Sequence, residues 1–182
     1  MFNKEKWNGN LLEGPTGWRG LECYMESIIK VLNIKPKTAL EFGVDSGYSL
    51  KVLSQLFDKT IGVDPFIGDK HIGHSQGEVF YKNVLKKFEG DNVEIVKKDF
   101  KSFASNHNHN NKYDLIHIDI VHLYNETFEC ADWSAHHSDV IIIHDTMSFP
   151  EMARVCRDIS SKHKFKFNNI PYHYGLGVLY KI

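Results

Sequence analysis

Cysteine is scarce in this sequence, and no two cysteines lie close together. Cys23, Cys130 and Cys156 are the only three in 182 residues, so no C-x-x-C pair occurs. An odd number of widely spaced cysteines fits neither a disulfide framework nor a zinc or redox motif. We therefore expect free thiols in a reducing compartment, and the cytoplasm is the expected location.

Long apolar runs and an excess of positive charge are also missing. No apolar run approaches the roughly 18 residues of a membrane-spanning helix, and the N-terminal M-F-N-K-E-K-W-N-G-N is too polar for the centre of a signal peptide. The 22 Lys and Arg residues balance 23 Asp and Glu residues, so no broad basic surface is available to hold a nucleic-acid backbone. Neither membranes nor nucleic acids are expected partners.

The length and composition favour one compact, globular unit. A chain of 182 residues can bury a proper core but is short for two ordinary domains. We therefore expect a single domain over residues 1–182, in which residues 1–37 form an N-terminal cap segment and a helix. That helix is predicted because apolar residues repeat at helical spacing between Leu21 and Leu32. Trp18 and Arg19, just before it, are candidates for a lid over the site.

From residue 38 onward, short apolar runs alternate with helical segments. The runs are T-A-L-E-F-G-V, T-I-G-V-D, V-E-I-V, L-I-H-I-D and V-I-I-I-H, and the helices are expected near 46–57, 78–89, 124–136 and 151–162. Apolar strands that alternate with helices are typical of a parallel sheet covered on both faces. The last two strands, 165–170 and 178–182, are joined by a segment too short for a crossover helix. The sequence predicts a doubly wound, mostly parallel α/β sheet that ends in an antiparallel hairpin.

Every predicted parallel strand ends in an acidic residue. These ends carry Glu41, Asp64, Asp99, Asp119 and Asp145. In doubly wound sheets, ligands bind outside the carboxyl ends of the strands near the point where the strand order reverses. We therefore expect the five acids to face one ligand site.

The first strand runs into the segment A-L-E-F-G-V-D-S-G-Y-S at 39–49. Gly43 and Gly47 allow a tight turn and a close approach to a ligand, and Ser46 or Ser49 can satisfy the first amides of the next helix. The G-x-x-x-G spacing differs from both the dinucleotide fingerprint and the phosphate loop. A ligand with a cationic amine is therefore favoured over a pyrophosphate, and Asp64 is placed to accept the hydroxyls of a ribose.

These residues carry a resemblance to a known family. E-F-G-V-D-S-G-Y-S followed by I-G-V-D resembles motif I and the second-strand acid of class I S-adenosylmethionine-dependent methyltransferases. I-D-I-V-H-L-Y-N at 118–125 and V-I-I-I-H-D at 140–145 resemble a signature of bacterial small-molecule O-methyltransferases related to macrocin O-methyltransferase and cephalosporin-hydroxylase-like proteins. Ile120 replaces the usual glycine of that signature. The resemblance implies a Rossmann-like, seven-stranded sheet of order 3-2-1-4-5-7-6.

The resemblance also implies roles for individual residues. The cofactor-binding candidates are Glu41, Gly43 and Gly47 near the methionine part, Asp64 at the ribose, Asp99 and Phe100 near the adenine, Asp119 beside the sulfonium, and also Ser49. Some relatives bind a magnesium-like ion at the ends of the fourth and fifth strands, which here implies Asp119, His144 and Asp145. His144 departs from the all-oxygen ligand set that such a cation prefers.

The predicted activity is methyl transfer from S-adenosylmethionine to a hydroxyl of a small polar molecule such as a sugar. The candidate catalytic residues are His122, His144 and Asp119, with either histidine as the base because imidazole titrates near neutral pH. A bound Mg²⁺ could instead lower the pKa of the substrate hydroxyl. Selectivity is expected from the N-terminal segment and the loops at 65–77, 146–150 and 170–177, and a homodimer is the default assembly.

Two other functions stay open at this point. A non-catalytic or regulatory module could have kept the adenosyl-cofactor pocket, since Ile120 departs from the pattern beside the reacting centre. A nicotinamide-dependent oxidoreductase would use the same fold but is disfavoured by the glycine spacing.

Overall fold

The structure is a computed structural model, which describes residues 7, 11–12, 17–68, 76–108 and 110–181. Most of the expected cap segment before residue 17, and residues 69–75 of the 65–77 loop, lie outside the described residues. The single-domain boundary and the cap therefore stay predictions. Within the described chain, no helix combines the length and apolar character needed to cross a membrane.

Helices and strands alternate along the described chain from residue 21 until the last two strands, which follow one another directly. The helices are α1 (Leu21–Val31), α2 (Tyr48–Ser54), α3 (Glu78–Lys86), α4 (Phe100–Ser105), α5 (Tyr124–Ala135) and α6 (Pro150–His163). The strands are β1 (Thr38–Phe42), β2 (Lys59–Val63), β3 (Val93–Val96), β4 (Leu115–Ile118), β5 (Val140–His144), β6 (Lys166–Ile170) and β7 (Leu176–Tyr180).

The seven strands form one sheet of order β3-β2-β1-β4-β5-β7-β6. Neighbouring strands are parallel from β3 to β5, whereas β7 is antiparallel to both β5 and β6. The expected fold class, strand order and C-terminal hairpin are therefore confirmed. The strand order reverses between β1 and β4, which is where a ligand crevice is expected.

The central strands are buried on both faces, as their apolar sequences predict. On one face, Leu40 and Ile116 belong to a core that also contains Cys130 of α5 and Val155 of α6. On the other face, Ala39 and Leu115 belong to a core that also contains residues of α1 and α2. The result is a three-layer sandwich that holds the carboxyl ends of β1, β4 and β5 side by side.

Three helices differ from the sequence-based expectation, of which α3 differs only in ending at Lys86 instead of near residue 89. The short helix α4 was not expected, because its six residues carry no apolar repeat; it begins after Asp99, whose carboxylate accepts a hydrogen bond from the Ser102 amide at 2.8 Å. Helix α2 is shorter than the expected 46–57. It begins only after Gly47, whose left-handed backbone (φ 91°) cannot belong to a helix.

Candidate functional site

A cavity of about 970 Å³ opens over the carboxyl ends of β1, β2 and β4. Its walls include the 43–46 turn, Asp64, the 119–122 segment and Asp145. Single ligand sites in proteins commonly occupy about 300–1,000 Å³. The acids at the ends of β2, β4 and β5 therefore meet at one space large enough for a nucleoside-containing cofactor.

Gly43 shapes the floor of this cavity. Its φ is +87°, and a Cβ placed on it would lie 1.9 Å from the carbonyl oxygen of Asp119. Hydrogen bonds hold the strand ends together at this turn. The Gly43 amide donates to the Val63 carbonyl at 2.9 Å, and the Asp119 amide donates to the Phe42 carbonyl at 2.8 Å. Only glycine therefore lets β1 turn away while the chain leaving β4 passes directly beside it.

Gly47 lies behind the cavity wall rather than in it. A Cβ on Gly47 would meet the ring of Phe88 at 2.8 Å, and its φ of +91° lies in the left-handed region. The glycine is needed to start α2 and to seat Phe88 against the turn. Its predicted role beside the methionine part of a cofactor stays a prediction.

Asp64 holds the turn after β1 in place. Its Oδ2 accepts hydrogen bonds from the amides of Val44 at 2.8 Å and Asp45 at 3.0 Å, and its Oδ1 accepts one from the Phe66 amide at 2.6 Å. A carboxylate offers about four acceptor positions, so one remains for a ligand hydroxyl. Asp64 lines the cavity, but much of its hydrogen-bonding capacity holds the turn, and its predicted contact with a ribose stays a prediction.

Glu41 is fully buried and paired with His117, which occupies the matching position on β4. Glu41 Oε1 lies 2.7 Å from His117 Nδ1, whereas Glu41 Oε2 has no hydrogen-bond partner within 3.5 Å among the described residues. Burial raises the pKa of Glu41, although interactions with His117 and Ser49 act in the opposite direction. Ser49 also lines the cavity, so Glu41 supports the wall from beneath.

Asp99 and Phe100 form the wall near β3. Asp99 is exposed and caps α4, and the Ser102 amide and hydroxyl lower the pKa of its carboxyl. The Phe100 ring packs edge-on against Phe42, with their centroids 5.4 Å apart. Both residues line the cavity, which offers an apolar ring and a carboxylate where the resemblance places the adenine.

Asp119, His122 and Asp145 form a compact cluster on the opposite wall. His122 Nε2 lies 2.7 Å from Asp145 Oδ2 and 3.7 Å from Asp119 Oδ1. The His122 ring stacks on Phe149, with the centroids 4.1 Å apart and the planes 1° from parallel. One donor atom from each of the three residues lies within 4.8 Å of the other two. Two carboxylates and an imidazole are thus held together at the edge of the cavity.

Electrostatics couple the members of this cluster. Burial acts to raise the pKa of Asp119, but the charge of His144 and hydrogen bonds from His122 and His144 outweigh it and hold that pKa well below its usual range. For His122, burial acts to lower the pKa, but hydrogen bonds and charges from Asp119 and Asp145 raise it to about 9. At neutral pH the protein therefore holds an imidazolium between two carboxylates.

His144 is placed behind the cluster, not in the cavity. Its side chain is 1% exposed, Nδ1 lies 3.2 Å from Asp119 Oδ2, and Nε2 lies 2.9 Å from the His173 carbonyl oxygen. Because an oxygen already lies beside each ring nitrogen, the geometry favours His122 over His144 as the third ligand or as a base. The sequence-based roles of His144 stay predictions, and its observed contacts position Asp119.

Trp18 and Tyr174 form a wall that the sequence indicated only in part. The Trp18 ring lies 3.8 Å from the His144 ring and 5.7 Å from the Tyr174 ring, centroid to centroid, and both Trp18 and Tyr174 line the cavity. Trp18 belongs to the expected lid and Tyr174 to the 170–177 loop. The contact between these two rings depends on long-range packing. The same is true of the pairing of buried His117 with Glu41, for which the only sign in the sequence is a polar residue in an apolar strand.

The residues present fit both groups that the resemblance implies. For S-adenosylmethionine, the cavity has the required volume, the glycine turn brings bare backbone to its floor, and Asp64 lines it with one acceptor position still open. For a divalent cation, Asp119 and Asp145 supply one carboxylate oxygen each and His122 supplies one imidazole nitrogen, a set accepted by Mn²⁺ and related ions.

Comparisons with known proteins agree with this geometry. The model of a family described as "Methyltransferase domain" matches residues 40–146. None of the curated proteins matches the sequence closely enough to count as a relative.

Solved structures share the fold at low sequence identity. A Staphylococcus aureus protein described as a caffeoyl-CoA O-methyltransferase is 14% identical, with a TM-score of 0.67 over 98% of this chain and 90% of that one. CalS10, an amino pentose methyltransferase from Micromonospora echinaspora solved with SAM bound, is 10% identical, with a TM-score of 0.67 over 100% of this chain and 98% of that one. The SAH-bound Podospora anserina methyltransferase PaMTH1 is 13% identical, with a TM-score of 0.60 over 100% of this chain and 98% of that one.

The family match covers the turn at Gly43, Asp64 and the cluster up to Asp145, so it spans most of the residues that build the cavity. The chain therefore belongs to the methyltransferase-domain family, with the class I fold and S-adenosylmethionine-dependent methyl transfer as its activity class.

Proposed function

We propose that this protein transfers a methyl group from S-adenosylmethionine to a hydroxyl of a small polar molecule such as a sugar, assisted by a divalent cation such as Mg²⁺. The observation that carries the proposal is the cluster of Asp119, His122 and Asp145 in the cavity wall, which begins directly beside the glycine turn. We place the methyl acceptor beside this cluster, because proton-handling and cation-binding groups meet there.

Two similar structures support a small acceptor of this kind. CalS10 is named as an amino pentose methyltransferase, and the Staphylococcus aureus protein is named for caffeoyl-CoA O-methylation. Trp18 and Tyr174 supply flat aromatic faces beside the cluster, which suit the apolar face of a sugar ring or a planar phenol. We favour the sugar, because the cluster also offers carboxylate acceptors for several hydroxyl groups.

The bound groups supply a methyl group on a positively charged sulfur and a cation that lowers the pKa of the acceptor hydroxyl. The turn at 43–46, Asp64 and Phe100 orient the cofactor, and orientation is the main requirement of a direct displacement. Asp119 and Asp145 hold the cation and orient the acceptor. In this arrangement His122 would act as a base rather than as a ligand: the charge of a cation held by the two carboxylates would lower the pKa of His122, so that Nε2 could receive the hydroxyl proton. Trp18 and Tyr174 help to exclude water.

His144 and Phe149 keep the cluster in position. His144 fixes Asp119 from behind, and the Phe149 ring limits the rotation of His122. Groups that orient cation ligands from behind commonly contribute about 10–100-fold to activity or metal affinity. We assign both residues to positioning.

The proposal is tested by measuring methyl transfer from labelled S-adenosylmethionine to a panel of sugars and catechols, with Mg²⁺ and with EDTA. We expect turnover on one or more sugars, with a loss of about 100-fold in EDTA or in the Asp145→Asn variant. Asp139→Asn is the matched control, because Asp139 precedes β5 at its other end and is 77% exposed; it should retain full activity.

Binding of S-adenosylhomocysteine should persist in Asp145→Asn, which separates loss of chemistry from loss of the cofactor site. Equal turnover in the two aspartate variants, or turnover unaffected by EDTA, would exclude the assigned roles of the cluster. Turnover on catechols alone would replace the sugar by a phenol. Cofactor binding without turnover on any acceptor would favour a non-catalytic binding module.

A further inference from the structure

A second group of potential metal ligands lies on the helical layer, away from the cavity. Among the described residues, Asp132, His136 and His163 place one donor atom each within 4.8 Å of the other two. Asp132 and His136 are one turn apart at the C-terminal end of α5, and His163 is the last residue of α6. Residues four apart share one face of a helix, so α5 presents both side chains toward α6.

The two helices run in the same direction. Tyr124, the first residue of α5, donates a hydrogen bond to Asp158 at 2.6 Å, Lys162 lies over the Phe128 ring at 5.5 Å, and His163 pairs with Asp132 at 2.6 Å. Successive residues of α5 therefore contact successive residues of α6, as in a parallel helix pair. Both C-terminal ends lie together, and the negative ends of their dipoles favour a cation there.

This location is remote from the proposed active site. Helix α5 leads into Val140 at the amino end of β5, and α6 leads into Lys166 at the amino end of β6. The cavity instead opens at the carboxyl ends of the parallel strands. A ligand at the two helix ends would contact neither the cofactor nor the methyl acceptor.

The three side chains already contact one another. His163 Nε2 lies 2.6 Å from Asp132 Oδ1, and the rings of His136 and His163 lie edge to face with their centroids 5.0 Å apart. Ligands at about 2.0–2.1 Å from one tetrahedral ion lie about 3.3 Å apart. His136 is exposed, so its ring can turn toward the other two donors without disturbing the core.

Lys162 now competes for the same carboxylate. Its Nζ lies 2.6 Å from Asp132 Oδ1, and its side chain is 52% exposed. Because the ion pairs of exposed lysines are weak, this ammonium group can move into water at little cost. An ion at the site would replace Lys162 as the positive partner of Asp132.

We propose that Asp132, His136 and His163 form a binding site for Zn²⁺ or a similar transition-metal ion that joins the C-terminal ends of α5 and α6. Two imidazoles and one carboxylate suit Zn²⁺, Co²⁺ or Ni²⁺, whereas Mg²⁺ prefers oxygen ligands. A water molecule completes a tetrahedral site. The site stabilises the folded protein, because it binds donors that are brought together only by folding.

The test is calorimetric titration of tag-free, EDTA-treated protein with Zn²⁺ at pH 7.5, together with thermal unfolding with and without the ion. We expect a zinc-dependent rise in Tm, and at least about a 10-fold loss of zinc affinity in His136→Gln. Co²⁺ should give the visible absorption of a tetrahedral N/O site in the wild type and lose it in that variant. Because His136 is exposed, circular dichroism should show that the variant folds normally.

Two lysine variants and one aspartate variant sharpen the result. Lys162→Gln should bind Zn²⁺ several-fold more tightly because the competing ammonium is gone, whereas Lys86→Gln, which removes an exposed charge on α3, should bind as the wild type does. Asp145→Asn should keep the zinc-dependent rise in Tm, which separates this site from the cavity cluster. Identical titrations of His136→Gln and wild type, or no wild-type binding below millimolar Zn²⁺, would overturn the proposal.

Discussion

Replacing Gly43 by alanine tests how the turn after β1 forms the cavity floor. The backbone cost alone is that of a non-glycine residue in the left-handed region, about 1–2 kcal/mol. In addition, the new Cβ would lie 1.9 Å from the Asp119 carbonyl oxygen, although Cβ atoms essentially never approach within 3.0 Å. The ends of β1 and β4 would have to separate by roughly 1.5 Å to restore an ordinary contact. That movement strains two interstrand hydrogen bonds worth about 1 kcal/mol each.

Gly90→Ala is the matched control, because Gly90 has φ +85° and a Cβ placed on it would meet no atom within 4 Å. Urea unfolding should give a loss of about 1–2 kcal/mol for Gly90→Ala and at least about 3 kcal/mol for Gly43→Ala. Calorimetry should show S-adenosylhomocysteine affinity unchanged in the first variant and reduced at least about 10-fold in the second. Equal losses of stability, or full affinity in Gly43→Ala, would refute the close approach of the Asp119 carbonyl as the reason for this glycine.

Three further outcomes are expected. Asp64→Asn places a side-chain NH₂ group against at least one of the backbone amides that donate hydrogen bonds to the carboxylate. Urea unfolding should therefore show a loss of about 1–3 kcal/mol in the free energy of unfolding. Asp58→Asn, at an exposed position, should change that free energy very little. Burial raises the pKa of Cys156 to about 12 and that of Cys130 well above its usual range, so a thiol reagent at pH 8 should modify only Cys23 until urea exposes all three. Removing divalent cations should leave S-adenosylhomocysteine affinity within about 2-fold while turnover falls, because the cofactor is oriented by the turn, Asp64 and Phe100 rather than by the cluster.

The fold followed from the sequence because its signals are local and repeated. The runs at 115–118 and 140–143 are buried at every position in the structure, as doubly covered strands require. The short connection after Ile170 could only return antiparallel. Helix α4 lacked such a signal, since six residues are too few for an apolar repeat to be read.

The positions of the site residues were harder to predict, because they depend on which way a side chain turns as its strand ends. His144 ends β5 facing Trp18, while Asp145 adopts φ 59° and directs its carboxylate toward His122. No sequence pattern indicates this change of backbone direction at Asp145. Because of that change, His122 rather than His144 completes the three-residue cluster with the two aspartates.

The structural roles of Gly47 and Glu41 depend on long-range packing and could not be predicted from the sequence. Gly47 is required by Phe88, which is distant in the chain, and Glu41 is held by His117, 76 residues away. The sequence showed a glycine and a carboxylate beside a turn, which favours ligand contact. It could not show that both residues also support the turn from behind.

Calorimetric titration with S-adenosylhomocysteine tests the central claim most directly. If the glycine turn, Asp64 and the strand ends form one adenosyl-cofactor pocket, one equivalent should bind, and NAD⁺ should neither bind nor compete. Absence of binding by S-adenosylhomocysteine, or tighter binding by NAD⁺, would contradict the account.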